Sequence, residues 1–438
     1  MTGPRTDGRR VSGAARQERP GAGSGWRLLS RLPRWRPGGY LRASGSLLGW
    51  MVLRAAGQAA LVILLARLLG ADGFGRFITT LALTAFFVPL AGLGLPGVLL
   101  RDLARAPQQL PENLAQALRL WWRGAAVFGG LGLVAAFALL HGQFPAPALC
   151  VFVCAEIASS SLVDLLARVE QSQHRTSRFG AMIAGLVLVR LGCLAVFAAW
   201  HGMSVTTWML VYASAGAAYA LVLLVGALRA YHPRSRQALR YSLVRDGLAF
   251  AWGGFSLRLQ AEFNKPVLAQ LGYALAGSFS ISQRAVDVAS LPLVAMQDAL
   301  WPRLYASASH ARRMLVSAAA LLCLAVAGGT VLFMVAPLLP RLLGPGFGGT
   351  AGLLRWLAWL PALQVLRNVG TFHVMATHRA SALMWSYAAG TVTSVTATVV
   401  LALRYGLAGA ALAAYLAEGA TIVTQAVLLA GPLRGRVS

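Results

Sequence analysis

Apolar runs of about twenty residues follow one another from residue 45 to residue 430, separated by short polar turns. A run of about 20 such residues carries an α-helix across a hydrocarbon core of about 30 Å. Inside lipid every backbone N–H and C=O must find a partner within the protein, which restricts spanning segments to helices and closed barrels. The pattern specifies an all-α polytopic membrane protein. We place about twelve transmembrane helices, near 45–66, 77–100, 119–140, 146–167, 180–200, 205–228, 247–270, 275–300, 314–340, 350–375, 381–403 and 406–430. With 57% hydrophobic and 12% charged residues, the composition excludes an ordinary soluble enzyme.

The net charge of +26 is almost all arginine, and Lys265 is the sole lysine. Such a charge could signal nucleic acid, but the basic residues lie between apolar runs and in a tail, with no zinc-finger, KH or RRM pattern. Membrane topology accounts for them. Alternate connections carry Arg101 and Arg105; Arg168, Arg175 and Arg178; Arg229, Arg234, Arg236, Arg240 and Arg245; then Arg303, Arg312 and Arg313; then Arg379. The intervening turns, including HGQFPAP and HGMSVT, are nearly bare. The positive-inside rule places the arginine-rich connections and both termini in the cytoplasm. The expected organisation is a disordered basic cytoplasmic tail (1–42), a first six-helix lobe (43–228), a cytoplasmic linker (229–246), a second six-helix lobe (247–431) and a short cytoplasmic C-terminus (432–438). The outward turns are too short to fold as a catalytic domain.

Two of the spans are charged. The run near 247–270 contains Arg258, Glu262 and Lys265, and the run near 275–300 contains Arg284 and Asp287. A charge at mid-membrane costs at least about 2.5–3.5 kcal/mol on insertion scales, so such residues face a bundle interior or a wet cavity. Their i,i+3 and i,i+4 spacings put them on shared helix faces. Pro266 removes a backbone donor beside Lys265 and predicts a kink there. Arg54, Arg190 and Arg367 also fall inside spans. Together Arg54, Arg190, Arg258, Lys265, Arg284 and Arg367 form a candidate cationic lumen, suited to phosphate because the guanidinium fork pairs with its oxygens. Glu156, Glu262 and Asp287 are candidates for coupling to a proton or sodium gradient. Asp164 is expected to pair with Arg168 one turn away, and Glu418 has no evident partner. Gly92, Gly94 and Gly97 match G-x-G-x-x-G but lie in a membrane helix, so they predict close packing and bending rather than a dinucleotide site. Cys150, Cys154, Cys193 and Cys323 read as small helix residues, and no metal set is apparent. His373 and His378 fit an interfacial position, and Trp121, Trp122, Trp301 and Trp356 fit interfacial anchoring or packing.

The two halves repeat. A shift of 202 residues lays Gln58 on Gln260, Leu69-Gly70 on Leu271-Gly272, Gly75 on Gly277, Phe77 on Phe279 and Arg101 on Arg303. An even number of helices per half predicts a parallel repeat about an axis along the membrane normal, as in carriers that rock two lobes around a central site.

Several segments carry a family resemblance. LLARLLGADGFGRF (64–77) and PLAGLGLPGVLLRDLAR (89–105) open the chain's membrane part. AGSFSISQRAVDVASLPLVAMQDALWPRLY (276–305), LLGPGFGGTAGLLRWLA (342–358) and YGLAGAALAAYLAE (405–418) continue it. In this order and spacing they resemble bacterial polysaccharide-unit flippases for O-antigen or exopolysaccharide. These form the polysaccharide transporter branch of the multidrug/oligosaccharidyl-lipid/polysaccharide exporter superfamily. The resemblance implies a two-lobe carrier, not an enzyme. It would turn undecaprenyl-diphosphate-linked oligosaccharide units from the cytoplasmic to the periplasmic leaflet of the inner membrane. No cofactor is implied beyond an ion gradient; the partners would be the bilayer, a polysaccharide polymerase and a chain-length regulator. One departure is Glu262, where the family often has aspartate. A multidrug or small-metabolite exporter of the same superfamily is the alternative, and a membrane polymerase or ligase is the alternative of another class.

Overall fold

The computed structural model describes residues 39–140, 142–199, 204–234, 238–294, 296–297, 310–344, 346–376 and 380–430. The tail up to residue 38, Trp301, Arg303, His378, Arg379 and residues 432–438 lie outside the described residues.

The described chain is a bundle of helices. Helices 1 and 2 occupy Gly39–Ala91, divided at Gly70, whose φ of 69° and ψ of 179° are not helical. Helix 2 resumes as Leu95–Arg105. Helix 3 is Leu110–Leu140, helix 4 Ala146–Ser172, helix 5 Thr176–Ala198 and helix 6 Val205–Tyr231. Helix 7 is Ser242–Glu262 continued by Asn264–Ala269, and helix 8 is Tyr273–Ala289. Helix 9 is His310–Val335, followed by the short Leu338–Leu343. Helix 10 is Gly349–Leu357 resumed as Leu360–Ala376. Helix 11 is Ala380–Ala397 with a π-helical turn at Thr398–Ala402, and helix 12 ends at Ala430. Gly406, with φ 58° and ψ −130°, breaks the chain between the last two.

Among the described residues seven stretches are long and apolar enough to cross a membrane, and two of them, Gly45–Ala91 and Leu383–Leu429, have 47 residues each. At 1.5 Å per residue, 47 residues would reach about 70 Å, twice what a bilayer needs. Each is two crossings joined at a glycine, which brings the apolar spans to nine. The remaining three are helices 7, 8 and 10, the ones that carry Arg258, Glu262, Lys265, Arg284, Asp287 and Arg367. The chain is thus a multi-pass membrane protein of two six-helix lobes.

The second helix departs from the expected continuous span near 77–100. It stops at Ala91 and restarts at Leu95, with Leu93 at φ 51° and Gly94 at φ 65°. The glycines do more than bend the helix: left-handed residues cannot continue an α-helix, and Pro96 then suits the first turn of the new one. The connection between lobes is also shorter than expected, since helix 6 runs to Tyr231 and helix 7 begins at Ser242.

Two buried apolar clusters fill the first lobe. One is built on Leu65, Phe74, Phe77, Phe152 and Trp208, the other on Leu99, Leu103, Leu114 and Leu166. The second lobe has its own, around Leu268, Phe279, Leu354 and Ala410. The lobes meet along helices 1 and 2 of the first and helices 7 and 8 of the second. At the arginine-poor end the loop before helix 10 crosses between them. Phe347 is fully buried in the first lobe's cluster, edge-on to Phe74 at 6.4 Å, and Arg67 Nε donates to the Leu342 carbonyl. At the arginine-rich end Arg101 pairs with Asp102 and, at 3.1 Å, with Asp246 at the start of helix 7.

Candidate functional site

Helix 7 explains how the charges come to face inward. Gly247, Ala251, Gly254, Arg258, Glu262 and Lys265 recur at steps of three and four, so they form one stripe. Its lower part is small because it packs on helix 2: Gly247 lies against the Leu93 carbonyl, and Gly254 against Pro89. Farther along, the same stripe becomes charged. The helix breaks at Phe263, three residues before Pro266. Pro266 has no N–H to donate to the Glu262 carbonyl, four residues back, so the break lies where the missing bond falls. There Lys265, almost completely buried, donates to Glu262.

Arg258 of helix 7 and Arg284 of helix 8 lie within electrostatic range of Arg54 of helix 1. Arg54 and Asp287 are exposed. Arg284 is about one-third exposed, with its Nη1 4.0 Å from Asp287. The group therefore draws charge from both lobes. Arg258, Lys265 and Arg284 act on Glu262, Lys265 and Arg284 act on Asp287, and Asp164 acts on Arg54, so four cations are grouped with three carboxylates.

The other predicted residues sort differently. Arg190 is buried and paired with Glu156 of helix 4. It also donates to the Tyr212 hydroxyl at 2.8 Å and lies over that ring, 3.8 Å from its centroid. Phe77, Phe152 and Trp208 box the ring in. Gly216 leaves the room for Arg190: a Cβ there would meet the guanidinium. Glu156 accepts a second bond from Ser160 at 2.8 Å. This cluster is within electrostatic range of Arg284, through Tyr212. Arg367 sits in the second lobe, where Nη1 donates to Glu418 at 3.0 Å. Glu418 thus has the partner that the sequence did not disclose. Asp164 pairs with Arg168 at 3.5 Å, as the spacing predicts. Sequence reading missed Tyr212, whose only signal is its place in the aromatic-rich start of helix 6.

Residues 46–271 match the model of a family described as polysaccharide biosynthesis protein. The chain belongs to that family. Three solved structures share the fold of this family member. An inward-facing multidrug resistance MATE family transporter of the MOP superfamily aligns with a TM-score of 0.66 at 14% identity, over 85% of this chain and 92% of that one. The lipid II flippase MurJ, in an inward closed conformation, aligns with a TM-score of 0.64 at 12% identity, over 90% of this chain and 88% of that one. A MOP superfamily transporter from Pyrococcus furiosus, whose binding pocket is described as of reverse polarity, aligns with a TM-score of 0.60 at 14% identity, over 88% and 93%. No curated protein matches the chain. At these identities the likeness establishes the fold alone.

Proposed function

We propose that this chain is a flippase rather than an enzyme. It carries undecaprenyl-diphosphate-linked oligosaccharide units from the cytoplasmic to the periplasmic leaflet of the bacterial inner membrane, by alternating access of its two lobes. The units would serve O-antigen or exopolysaccharide synthesis, with a polymerase and a chain-length regulator acting downstream. Both termini and the arginine-rich connections face the cytoplasm.

The observation that carries this reading is the electrostatic grouping of Arg54 from the first lobe with Arg258 and Arg284 from the second. Such a group suits an anion held between moving bodies. A diphosphate brings several acceptor oxygens and negative charge, and guanidinium groups match both. The prenyl tail stays in lipid while the head group crosses. An exporter of organic cations would need the opposite sign of charge. The Pyrococcus furiosus transporter, with its pocket of reverse polarity, is consistent with this fold admitting lumens of either sign.

The test uses a strain lacking the native gene and measures surface polysaccharide together with the amount of carrier in the membrane. Arg284→Ala should lose most of the polysaccharide at normal carrier levels, and Arg284→Lys should keep part of it. Recovery by Arg284→Ala combined with Asp287→Ala would show that the pair is structural and would sink the anion-binding role.

A further inference from the structure

Coupling to an ion gradient needs a carboxylate that can exchange its charge partner for a proton while shielded from bulk water. The lumen carboxylates are poorly suited to this. Both oxygens of Glu156 are engaged, by Arg190 and by Ser160. Glu262 is held by Lys265 and faces Arg258 and Arg284 as well. Asp287 has a side chain 56% exposed, so a proton there would equilibrate with whichever solution fills the lumen.

Glu418 differs. It lies in helix 12, only 8% exposed. Oε1 accepts from Arg367, and the Gln364 amide approaches the carboxylate. Its Oε2 is buried and makes no hydrogen bond among the described residues. A buried acceptor left open is rare and costly, and a proton is the smallest group that would satisfy it. Arg367 Nε is likewise buried without a bond.

The surroundings link this carboxylate to the lumen helices. Arg367 Nη2 donates to the Asn368 carboxamide oxygen at 3.4 Å, and Asn368 donates to Gln297, beyond helix 8, at 3.0 Å. Farther along the same seam, Gln425 of helix 12 donates to Thr371 of helix 10 at 3.0 Å. Across helix 11, Gln260 of helix 7 donates to Thr391 at 2.7 Å and to the Tyr387 carbonyl at 3.2 Å. Gly370 and Gly390 keep space for these groups: a Cβ at either would meet Gln425 or Thr421. The titratable groups on elements packed against helix 12 are Arg355, Arg367 and His373 from helix 10, Tyr387 from helix 11, Lys265 from helix 7, and Tyr273, Arg284 and Asp287 from helix 8. Of these, Arg367 acts on Glu418.

We propose that Glu418 is a proton-binding site in the second lobe, and that Arg367 is the partner it releases. Adding one proton to Oε2 forms one O–H bond and neutralises the carboxylate. Arg367 keeps its charge and turns to Asn368, and through it to Gln297. Losing the proton on the other side of the membrane restores the pair, so each cycle takes up and releases one proton. Proton binding at Glu418 stands apart from the cargo; its coupling to transport rests on the flippase reading above.

Infrared difference spectroscopy tests this on the full-length protein in lipid vesicles, without cargo, as the buffer is changed from alkaline to acidic. A carbonyl band of a buried carboxylic acid should appear, vanish in Glu418→Gln, and remain in Asp164→Asn and Asp287→Asn, whose side chains are about half exposed. Persistence of the band in Glu418→Gln, or its absence from the parent protein, would overturn the proposal. Should Glu418→Gln fail to accumulate, Glu418→Gln with Arg367→Gln removes both charges, and the band must then be missing. In the strain lacking the native gene, Glu418→Gln at normal membrane levels should lose surface polysaccharide. Unchanged polysaccharide would overturn the coupling. The spectrum needs no cargo, so its failure leaves the Arg284 experiment standing, and failure of that experiment leaves the spectrum standing.

Discussion

Gly75 and Gly277, 202 residues apart, meet across the boundary between the lobes. A Cβ on Gly75 would run into the Tyr273 carbonyl, and a Cβ on Gly277 into the Ala71 carbonyl at 3.0 Å. Ala71 and Tyr273 are themselves 202 residues apart. The contact is therefore reciprocal, i with j′ and j with i′, as two-fold relation requires. Gly70 and Gly272, matched by the same shift, both have positive φ and both end the helix before them. The repeat read from a few letters corresponds to an axis in the folded molecule.

A side chain at this crossing has nowhere to go. Gly75→Val should lose about 1–3 kcal/mol, the usual cost of overpacking. The midpoint of thermal unfolding in detergent reports it, and an unchanged midpoint would mean that the two helix ends part freely.

The arginine-poor end can be locked shut. A Cβ at Gly346 would sit 3.0 Å from that of Ala71, a little below the span of about 3.5–4.5 Å that a disulfide bridges, and with φ 97° at Gly346 the loop must shift slightly to take a cysteine. Ala71→Cys with Gly346→Cys should cross-link on oxidation and stop polysaccharide export, with recovery on reduction. The four native cysteines are unpaired and should leave the control unlinked. Export that continues through a complete cross-link would show that this end does not open.

The Glu156–Arg190 pair is buried on both sides. Removing one partner strands a charge and should cost about 3–5 kcal/mol, whereas replacing both by apolar groups is often neutral. Glu156→Leu alone should therefore deplete the carrier from the membrane, and Glu156→Leu with Arg190→Met should restore it. Depletion in both would show that the cluster cannot be repacked without its ions.

Orientation can be read with a reporter active only in the periplasm. Fusions after Gln143 or Gly202 should be active, and fusions after Arg178 or Arg236 silent. The opposite pattern would reverse the assignment of cytoplasmic arginines.

Helix number and the charged faces were legible because both are periodic. Hydropathy exposes spans, and spacing exposes neighbours on one helix, as with Glu262 and Lys265 or Asp164 and Arg168. Pairing between helices was not legible. Nothing in spacing joins Glu156 to Arg190 or Arg367 to Glu418, because those partners depend on which helices pack together. The interruption after Ala91 was legible only in part. Gly92, Gly94 and Gly97 predict bending, but the stretch is as apolar as a continuous span, and the full break rests on the left-handed dihedrals of Leu93 and Gly94.

The backbone contact of Gly94 and Gly247, with Arg101 and Asp246 beside it, joins helices 2 and 7 without an intervening side chain. For a carrier that rocks, such a seam works as the spine of a book. Displacement is least at the spine and grows with distance from it. Arg54 and Arg284 stand on helices 1 and 8. Both arginines therefore stand off the seam, on helices that a rocking motion would carry farther than the glycines that form it.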